Sequence, residues 1–322
     1  MNSGKPKIPR SIELLKNNIL DSMHPFRLEL SNCGIWCRGE IKPTILYSGC
    51  LYSTMQIVLS KERFIELVTK DPSRDIFSIM ASIYVKLGPL YRRFIRITQG
   101  RLIDIAAKAF EILNFIGYEV GCLKREPYPG MLLYELGYIN EFKDYANRVY
   151  SILKEEGVKE IITIDPHVYE LLKYIYPEYV DGYDLKIQNF LDIVIEAYRR
   201  GDIRFKSVNG ESIAFHDPCH YSKSSYRRII NEPRELLKAM GYTLKEPFRS
   251  REMSMCCGGP IETYFSTLAR EVAKRRLKEL KGVDSDLIGV ACPICLTSFL
   301  SVSGEGYRIM DIIELIYERM VR

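Results

Sequence analysis

The chain has 322 residues, of which 47% are hydrophobic and 27% are charged, so it is expected to be a globular protein of about two domains or lobes. Lys and Arg exceed Asp and Glu by 46 − 41 = 5 residues, in short scattered clusters such as Arg92-Arg93. This distribution favours solvated helix faces over nucleic-acid binding, and it leaves open a docking patch for an acidic electron-transfer partner.

The sequence contains no sign of membrane insertion or secretion. No apolar run approaches the ~18 residues that a transmembrane segment needs, and the N-terminal sequence MNSGKPKIPRS lacks the apolar core of a secretory signal. We therefore expect a cytoplasmic protein. Because the cytosol is reducing, clustered cysteines there bind metals or carry out redox chemistry more often than they form structural disulfides, with hyperthermophiles as an exception.

The first half of the chain predicts one α/β unit over residues 43–205, after an N-terminal extension over residues 1–42. The apolar strand TILYSGC ends at Cys50, and about residues 54–100 are predicted to be a helical insertion. An amphipathic helix, LIDIAAKAFEILNFIG, follows, and a further helix ends near Gly157. The stretch EIITIDPHVYELLKYIYPE then supplies a strand, a corner and a helix.

The second half, residues 206–322, repeats this order of elements. The stretch ESIAFHDPC predicts a buried strand broken by Pro218, and DLIGVAC predicts another strand that is followed at once by Pro293. Two helices lie between these strands, with Gly241 closing the first and Gly282 in the C′ position of the second. Cysteines therefore come just past the carboxyl ends of strands, where open parallel sheets bind ligands.

Five of the nine cysteines lie in the last third of the chain, as one single residue, one adjacent pair and one Cys-x-x-Cys motif. The two gaps between these groups are 36 and 34 residues, and each is long enough for one helix and one strand, so the groups are predicted to lie at the same end of successive units. Thiolate-only sites select iron–sulfur clusters, zinc or Cu(I). A structural zinc takes four ligands, often from two Cys-x-x-Cys motifs, so five cysteines with one such motif favour a cluster, with zinc as the alternative. The five are Cys219, Cys256, Cys257, Cys292 and Cys295.

Two glycines, Gly258 and Gly259, follow the adjacent pair directly. They are predicted to let the backbone turn with positive φ and to bring N–H donors close to inorganic sulfide. A Gly-Gly turn beside two buried cysteines would explain this stretch alone. It would not explain three further cysteines at matched spacing.

The first half keeps the pattern of the second but has lost most of its cysteines. Pro127 and Tyr128 fall where the second half has the adjacent pair, and Asp165 and Val168 fall where it has the Cys-x-x-Cys motif. Only Cys50 keeps its position, so a second cluster is not expected. For this part of the first half, a purely structural role is favoured over a zinc site. The ligands of such a zinc site would be Cys50, His167, Asp165 and Cys122.

The remaining cysteines and two histidines have weaker interpretations. Cys33 and Cys37 could form a metal half-site or a redox pair, but no matching half-site follows, so ordinary thiols or a disulfide are favoured, as they are for Cys122. His216 and His220 flank the first cysteine of the motif set. Tuning of a cluster, or protonation of a leaving thiolate, and packing of a tight corner are equally favoured for these two histidines.

The motifs HDPCH, CCGGP and ACPIC together resemble the cysteine-rich CCG domain. That domain occurs in the B subunit of heterodisulfide reductase and in the iron–sulfur subunits of glycolate oxidase, anaerobic glycerol-3-phosphate dehydrogenase and lactate-utilisation complexes. The resemblance covers about residues 43–320 and implies an α/β fold of two pseudo-symmetric lobes with small parallel sheets, the first carrying a degenerate motif. It also implies a [4Fe–4S] cluster, which in heterodisulfide reductase is noncubane, is held by five cysteines and cleaves a disulfide. Carried over by motif position, the ligands would be Cys219, Cys256, Cys257, Cys292 and Cys295.

The resemblance implies an iron–sulfur oxidoreductase subunit that passes electrons between a partner's clusters and a thiol/disulfide or similar substrate. Many relatives begin with a ferredoxin-like module that is absent from this sequence, so the expected partner is another redox subunit, ferredoxin-like or a flavoprotein. The first alternative is the iron–sulfur subunit of a flavin-dependent glycolate, lactate or glycerol-3-phosphate dehydrogenase. The second alternative is a non-catalytic scaffold that binds zinc.

Overall fold

The computed structural model describes residues 10–69, 100–208, 210–259, 265–304 and 306–321. Two short helices precede the first sheet, α1 (Arg10–Ser22) and α2 (Leu30–Cys33). The strands of the first half are β1 (Thr44–Tyr47), β2 (Gly121–Cys122), β3 (Glu160–Thr163) and β4 (Lys186–Asn189). The helices of the first half are α3 (Leu51–Thr69), α4 (Arg101–Phe115), α5 (Met131–Glu135), α6 (Ile139–Glu155), α7 (Pro166–Glu170), α8 (Tyr176–Tyr179) and α9 (Phe190–Arg200).

The second half continues with four more strands, β5 (Ser212–Phe215), β6 (Thr243–Leu244), β7 (Leu287–Val290) and β8 (Ile309–Asp311). Its helices are α10 (Cys219–Ser222), α11 (Asn231–Ala239), α12 (Ser266–Lys281), α13 (Pro293–Leu300) and α14 (Ile312–Arg319). A short 3₁₀ turn, Arg251–Met253, precedes the cysteine pair.

The strands form two four-stranded sheets with the orders β2-β1-β3-β4 and β6-β5-β7-β8, and all the pairings within them are parallel. This topology confirms the predicted α/β fold of two lobes with small parallel sheets. Counted within each lobe, the strand order is the same, so the repeat inferred from the sequence is also a repeat of the fold. In such an order the topological switch point lies between the first and third strands of the lobe, where ligands bind past the carboxyl ends.

The strands at the two switch points are apolar along their whole length. Every residue of β5 and of β7 is buried, and in β1 and β3 only the first residue is partly exposed. Helices cover both faces of a parallel sheet, so its strands need continuous apolar runs instead of alternating ones. This is why the stretches TILY, EIIT, SIAF and LIGV form strands here.

Most of the predicted helix ends are found where the glycines stand. Gly157 and Gly241 take the left-handed conformation just after α6 and α11, with φ of 77° and 84°. The same position is predicted for Gly282, and that prediction is wrong: Gly282 lies at the C-cap of α12 in the right-handed helical region, with φ of −66°. The N–H of Gly282 still bonds to the carbonyl of Lys278, so the last turn of α12 continues through it.

The two halves are tied together by α3, α4, α13 and α14. Helix α3 packs against α13, and α4 packs against α14. Nε and Nη2 of Arg101 donate to the two carboxylate oxygens of Glu314 at 2.8 and 2.7 Å. The helical insertion predicted at about 54–100 agrees with α3 as far as residue 69, and residues 70–99 lie outside the described residues. The division of the chain at residues 205 and 206 stays a prediction.

Candidate metal centre

The five cysteines of the second half lie together at the switch point of the second sheet. Cys219 is the first residue of α10, just after β5, and Cys292 is the N-cap of α13, just after β7. Because β5 and β7 are neighbours in the sheet, their two corners lie side by side. Cys295 lies in the first turn of α13, and the adjacent pair lies in the loop that leads to α12.

Close interactions link four of the five sulfur atoms, and the fifth, that of Cys219, acts on the set electrostatically. Cys257 lies within hydrogen-bonding reach of both Cys256 and Cys295, and Cys295 in turn contacts Cys292. Cys219 is close enough to Cys256 to act on it electrostatically. All five are free thiols. Three of them are buried, Cys219 is partly buried and Cys256 is exposed, so the group opens to solvent on the Cys256 side.

The two glycines after the pair let its loop pack closely against helices. Gly258 has the predicted positive φ, 85°, and its N–H donates to Sγ of Cys256 at 3.4 Å, but the positive φ predicted for Gly259 is wrong. A Cβ at Gly258 would lie 2.4 Å from the carbonyl oxygen of Ala269, and one at Gly259 would lie 2.2 Å from the side chain of Ile294. The loop is therefore wedged between the starts of α12 and α13, and only glycine fits at these two positions.

The thiols have unequal affinities for protons. Hydrogen bonds from Cys256, and then from Cys295, hold the pKa of Cys257 well below its usual range in spite of burial. The same bonds to Cys257 raise the pKa of Cys256 and of Cys295. Burial raises the pKa of Cys292, but the hydrogen bond from Cys295 and the nearby His167 outweigh burial and lower it to about 7. The set therefore carries thiolate, the form that binds metals, near neutral pH.

His216 contacts Cys257 of the cysteine pair and is held by a buried arginine. Nε of Arg276, a fully buried residue, lies 3.2 Å from Nδ1 of His216. Because a guanidinium only donates, Nδ1 accepts and the ring proton lies on Nε2. One ring nitrogen of His216 and the sulfurs of Cys257 and Cys295 lie within 4.8 Å of one another. His216 thus donates toward Cys257, and burial lowers the pKa of His216, which keeps the ring neutral.

Asp217 joins the loop before Cys219 to the segment before the pair, a role that the sequence analysis missed. Arg234, which is 3% exposed, donates from Nη1 and Nη2 to the two oxygens of Asp217 at 2.6 and 3.0 Å. The N–H of Arg251 also donates to Asp217, at 2.7 Å, and the hydroxyl of Ser254 donates to its carbonyl at 3.1 Å. These bonds fix the spacing between two of the three cysteine groups.

His220 forms ion pairs at the more open side of the centre. Its Nδ1 is bonded to Glu170, and its Nε2 lies 3.3 Å from Oε1 of Glu135. Burial lowers the pKa of His220, but the two carboxylates outweigh burial and raise it to about 9. The ring of His220 also lies against the ring of His167, with centroids 4.0 Å apart.

The corresponding crevice of the first lobe is closed, and the zinc site suggested there is wrong. Cys50 is bonded to Cys33 and Cys122 is bonded to Cys37, so neither can act as a thiolate ligand. The other two suggested ligands, Asp165 and His167, face Cys292 of the second lobe instead, since the three form one buried group. The sequence favours ordinary thiols or a disulfide for Cys33, Cys37 and Cys122, and all three form disulfides. The sequence does not indicate which cysteines pair.

A carboxylate binds the backbone where the first lobe has lost its cysteines. Glu126 is fully buried beside the turn after β1, where Gly49 and Cys50 both have positive φ. Its oxygens accept from the N–H of Ser48 at 3.2 Å, from the hydroxyl of Ser48 at 2.6 Å and from the N–H of Cys50 at 2.7 Å. Burial raises the pKa of Glu126 to about 7 in spite of these donors.

Comparison with known proteins identifies the second lobe. Residues 213–300 match the family model described as the cysteine-rich domain, CCG. This range includes all five cysteines of the centre. The resemblance stated from the three motifs is therefore confirmed.

Three curated relatives match about two thirds of the chain. The probable iron–sulfur-binding oxidoreductase FadF of Bacillus subtilis is 29% identical over 67% of this chain and 32% of its own length. The EtfAB:quinone oxidoreductase of Syntrophomonas wolfei is 24% identical over 65% of this chain and 31% of its own length. The D subunit of the dihydromethanophenazine:CoB–CoM heterodisulfide reductase of Methanosarcina mazei is 22% identical over 67% and 55%. This chain thus spans about a third of the first two relatives and about half of the third.

Proposed function

Because residues 213–300 belong to the cysteine-rich CCG domain family, we propose that this chain is an iron–sulfur oxidoreductase subunit resembling the B subunit of heterodisulfide reductase. In this role it transfers electrons between the clusters of a partner and a thiol/disulfide or similar substrate. One observation carries the proposal: five free cysteines from three separate segments of the chain lie at one edge of the second sheet, four of them in close interaction and Cys219 near enough to act on Cys256 electrostatically. Relatives whose names specify iron–sulfur binding, oxidoreductase activity or a reductase subunit support it.

The residues present fit an iron–sulfur cluster. Its proposed ligands are Cys219, Cys256, Cys257, Cys292 and Cys295, and the type we propose is a [4Fe–4S] cluster with noncubane geometry. Five sulfur donors exceed the four that a tetrahedral zinc takes. The lowered pKa values of Cys257 and Cys292 favour the thiolates that iron binds. The N–H groups of Gly258 and His216 point at sulfur, as donors around such clusters do.

We propose different roles for the closed side and the open side of the cysteine centre. A bound cluster would supply one-electron steps that the side chains themselves lack. On the closed side, Arg276 holds the proton of His216 on Nε2, beside Cys257, and the burial of Cys292 and Cys295 excludes water. On the open side, Cys256 and Cys219 are accessible, so substrate is proposed to approach there. His220 lies on this side as a proton-bearing group next to Cys219.

We propose that the electrons come from another redox subunit, ferredoxin-like or a flavoprotein. Among the described residues, no helix is both long enough and apolar enough to pass through a bilayer. We propose that the protein acts in the cytoplasm, as its sequence predicts.

A second candidate is the iron–sulfur subunit of a flavin-dependent glycolate, lactate or glycerol-3-phosphate dehydrogenase that passes electrons toward quinone. The match to a relative named as a quinone oxidoreductase favours it. The two candidates differ in the oxidant that the reduced centre reacts with. Rapid mixing of the reduced protein with a small disulfide or with a soluble quinone, followed by absorbance, distinguishes them.

The proposed function is tested by anaerobic purification with analysis of iron, labile sulfide and zinc, joined to electron paramagnetic resonance of the reduced protein. We expect a brown protein with about four iron atoms per chain and a loss of the signal in Cys257→Ser. The matched control is the double variant Cys37→Ser/Cys122→Ser, which removes two bonded cysteines of the first lobe and is expected to keep the signal. A colourless protein with stoichiometric zinc would contradict the proposal and support the scaffold.

A further inference from the structure

One corner of the first lobe reaches into the cysteine centre of the second. The corner follows β3, in the position that Cys292 takes after β7, and it carries Asp165 and His167. Asp165 is fully buried and His167 is 4% exposed. The ring of His167 contacts the thiol of Cys292 across the two lobes, although the two residues are 125 positions apart in the chain.

Asp165 fixes the start of helix α7 and the ring of His167. Its Oδ1 accepts from the N–H of His167 at 2.8 Å and from the N–H of Val168 at 3.0 Å, so it acts as the N-cap. The same oxygen lies 3.3 Å from Nδ1 of the His167 ring. Among the described residues, Oδ2 of Asp165 is buried without a hydrogen-bond partner. This carboxylate holds the imidazole as carboxylates commonly hold the histidines of metal centres.

The ring of His167 lies between two of the three cysteine groups. Nδ1 lies 3.9 Å from Sγ of Cys292 and 3.3 Å from the Asp165 carboxylate. Because the carboxylate and the thiolate are both acceptors, Nδ1 carries a hydrogen, which the two share. His167 also forms a group with Cys219 and His220 whose ligand atoms all lie within 4.8 Å of one another. The imidazole therefore spans the sulfurs that follow β5 and β7.

We propose that His167 is a positioning residue of the cysteine centre, which the first lobe supplies to donate from Nδ1–H to Sγ of Cys292 and thereby raise the reduction potential of the bound cluster. The inference rests on the proposed function, since it assumes that the five cysteines bind a redox-active cluster. Reduction adds negative charge to the cluster and its sulfur ligands. A hydrogen bond to sulfur stabilises the reduced state more than the oxidised one, and so raises the potential. In this arrangement the degenerate lobe serves the centre of the intact lobe.

Three substitutions of His167 distinguish the effect of its Nδ1–H hydrogen bond from the effect of its side-chain packing. The amide nitrogen of His167→Asn lies near the place of Nδ1 and keeps the donor. The amide of His167→Gln lies near the place of Nε2, on the Cys219 side, so this variant keeps the bulk but loses the donor to Cys292. His167→Ala loses both. His24→Asn is the control, because His24 is a buried histidine of the N-terminal extension that bonds to Thr54 and Phe26 instead of the centre.

The measurement is the midpoint potential of each anaerobically purified protein, from a redox titration followed by electron paramagnetic resonance. At a fixed ambient potential we expect His167→Gln and His167→Ala to raise the ratio of oxidised to reduced centre about tenfold, which for one electron is a fall of about 59 mV. His167→Asn and His24→Asn are expected to match the wild type. Water admitted to a cavity would shift the potential the other way, because hydration favours the more highly charged reduced state.

Each remaining outcome overturns the inference. An unchanged or raised potential in His167→Gln, in protein that keeps its iron, overturns it and leaves the proposed function intact. An equal fall in His167→Asn and His167→Gln shows that packing, and not donation, sets the potential. A wild-type protein without iron overturns the proposed function and this inference with it, so iron analysis of the wild type distinguishes the two failures.

Discussion

The two lobes share one strand order and corresponding corners after their strands. The crevice of the first lobe is closed, whereas the crevice of the second lobe is open. In the first lobe the corner after β1 is closed by the Cys33–Cys50 disulfide and by Glu126, all of them buried. In the second lobe the corner after β5 carries free Cys219 beside an exposed Cys256. The difference shows that the repeat preserves the position of the corners relative to the sheet, while the chemistry placed on the corners is free to change.

A hydrogen-bond acceptor lies against backbone N–H donors in both lobes. Glu126 accepts from the N–H groups of Ser48 and Cys50. In the second lobe, Sγ of Cys256 accepts from the N–H of Gly258. A tight turn that exposes its N–H groups binds anions and other acceptors, and the first lobe supplies the acceptor from its own chain, as the carboxyl group of Glu126. A crevice filled in this way does not need a cofactor to be stable.

The largest effect expected from this comparison is on iron content. We expect Cys295→Ser to lose most of its iron, because Cys295 contacts both Cys257 and Cys292 at the buried end of the centre. Cys50→Ser, in the closed crevice, is expected to keep its iron. Iron analysis of the two anaerobically purified variants is the measurement. Equal loss from both would break the proposed contrast between the lobes.

The disulfide between Cys37 and Cys122 should stabilise the first lobe. It closes a sequence separation of 85 residues, for which chain entropy predicts a stabilisation of about 4.6 kcal/mol. The double variant Cys37→Ser/Cys122→Ser is therefore expected to lower the free energy of unfolding by about that amount, measured by denaturant titration under anaerobic conditions. Since these residues lie outside the centre, the iron content should not change. A stability equal to that of the wild type would show that the bond does not form.

The titration of Glu126 should be visible in the pH dependence of the free energy of unfolding. Its pKa is raised to about 7 in the folded protein from 4.5 in the unfolded chain, so the folded state keeps a proton that the unfolded state releases. Stability from this group is therefore complete below about pH 4.5 and falls as the pH rises toward 7, by about 3 kcal/mol. Glu126→Gln lacks this titration. The difference in unfolding free energy between the two proteins, measured from pH 4.5 to 8, should change in this window and be flat above it.

The smallest expected effect concerns Tyr128, which stands in the first lobe where the sequence alignment places Cys257 of the second. Tyr128 is 2% exposed, and its hydroxyl accepts from the N–H of Leu132 at 2.9 Å. Tyr128→Phe keeps the ring and loses this bond, so we expect a loss of about 1 kcal/mol with the iron content unchanged. Thermal unfolding measures it. A loss several times larger would mean that the hydroxyl supports more of the closed crevice than this one bond.

Local sequence patterns predicted most of the fold and the members of the candidate site. Apolar runs that end at a cysteine or at Asp165 gave the strands on both sides of each switch point, because such runs are buried on both faces of a sheet. The positions of Cys219 and Cys292 just past β5 and β7 followed from the same runs. That the five cysteines bind a cluster stays a prediction.

The contacts that the sequence did not predict are long-range ones. Cys33 pairs with Cys50 and Cys37 with Cys122, and no local pattern distinguishes these pairings from the others that four cysteines allow. Glu126 stands in no motif. The approach of His167 to Cys292 depends on how the lobes face each other. The alignment that placed Asp165 opposite Cys292 was the one available signal, since matching corners of a pseudo-symmetric pair can meet.

The exposure of Cys256 determines where oxidation of the sulfur set by air should begin. Its four companions are buried or partly buried, so dioxygen and peroxide would reach the sulfur set first at this residue. The exposed sulfur at that position is open to stepwise oxidation to sulfenic and then sulfinic acid, and the second step is not reversed by ordinary thiols. Damage would therefore begin at one defined atom, and mass spectrometry of aerated samples should find the added oxygen there before it finds any elsewhere.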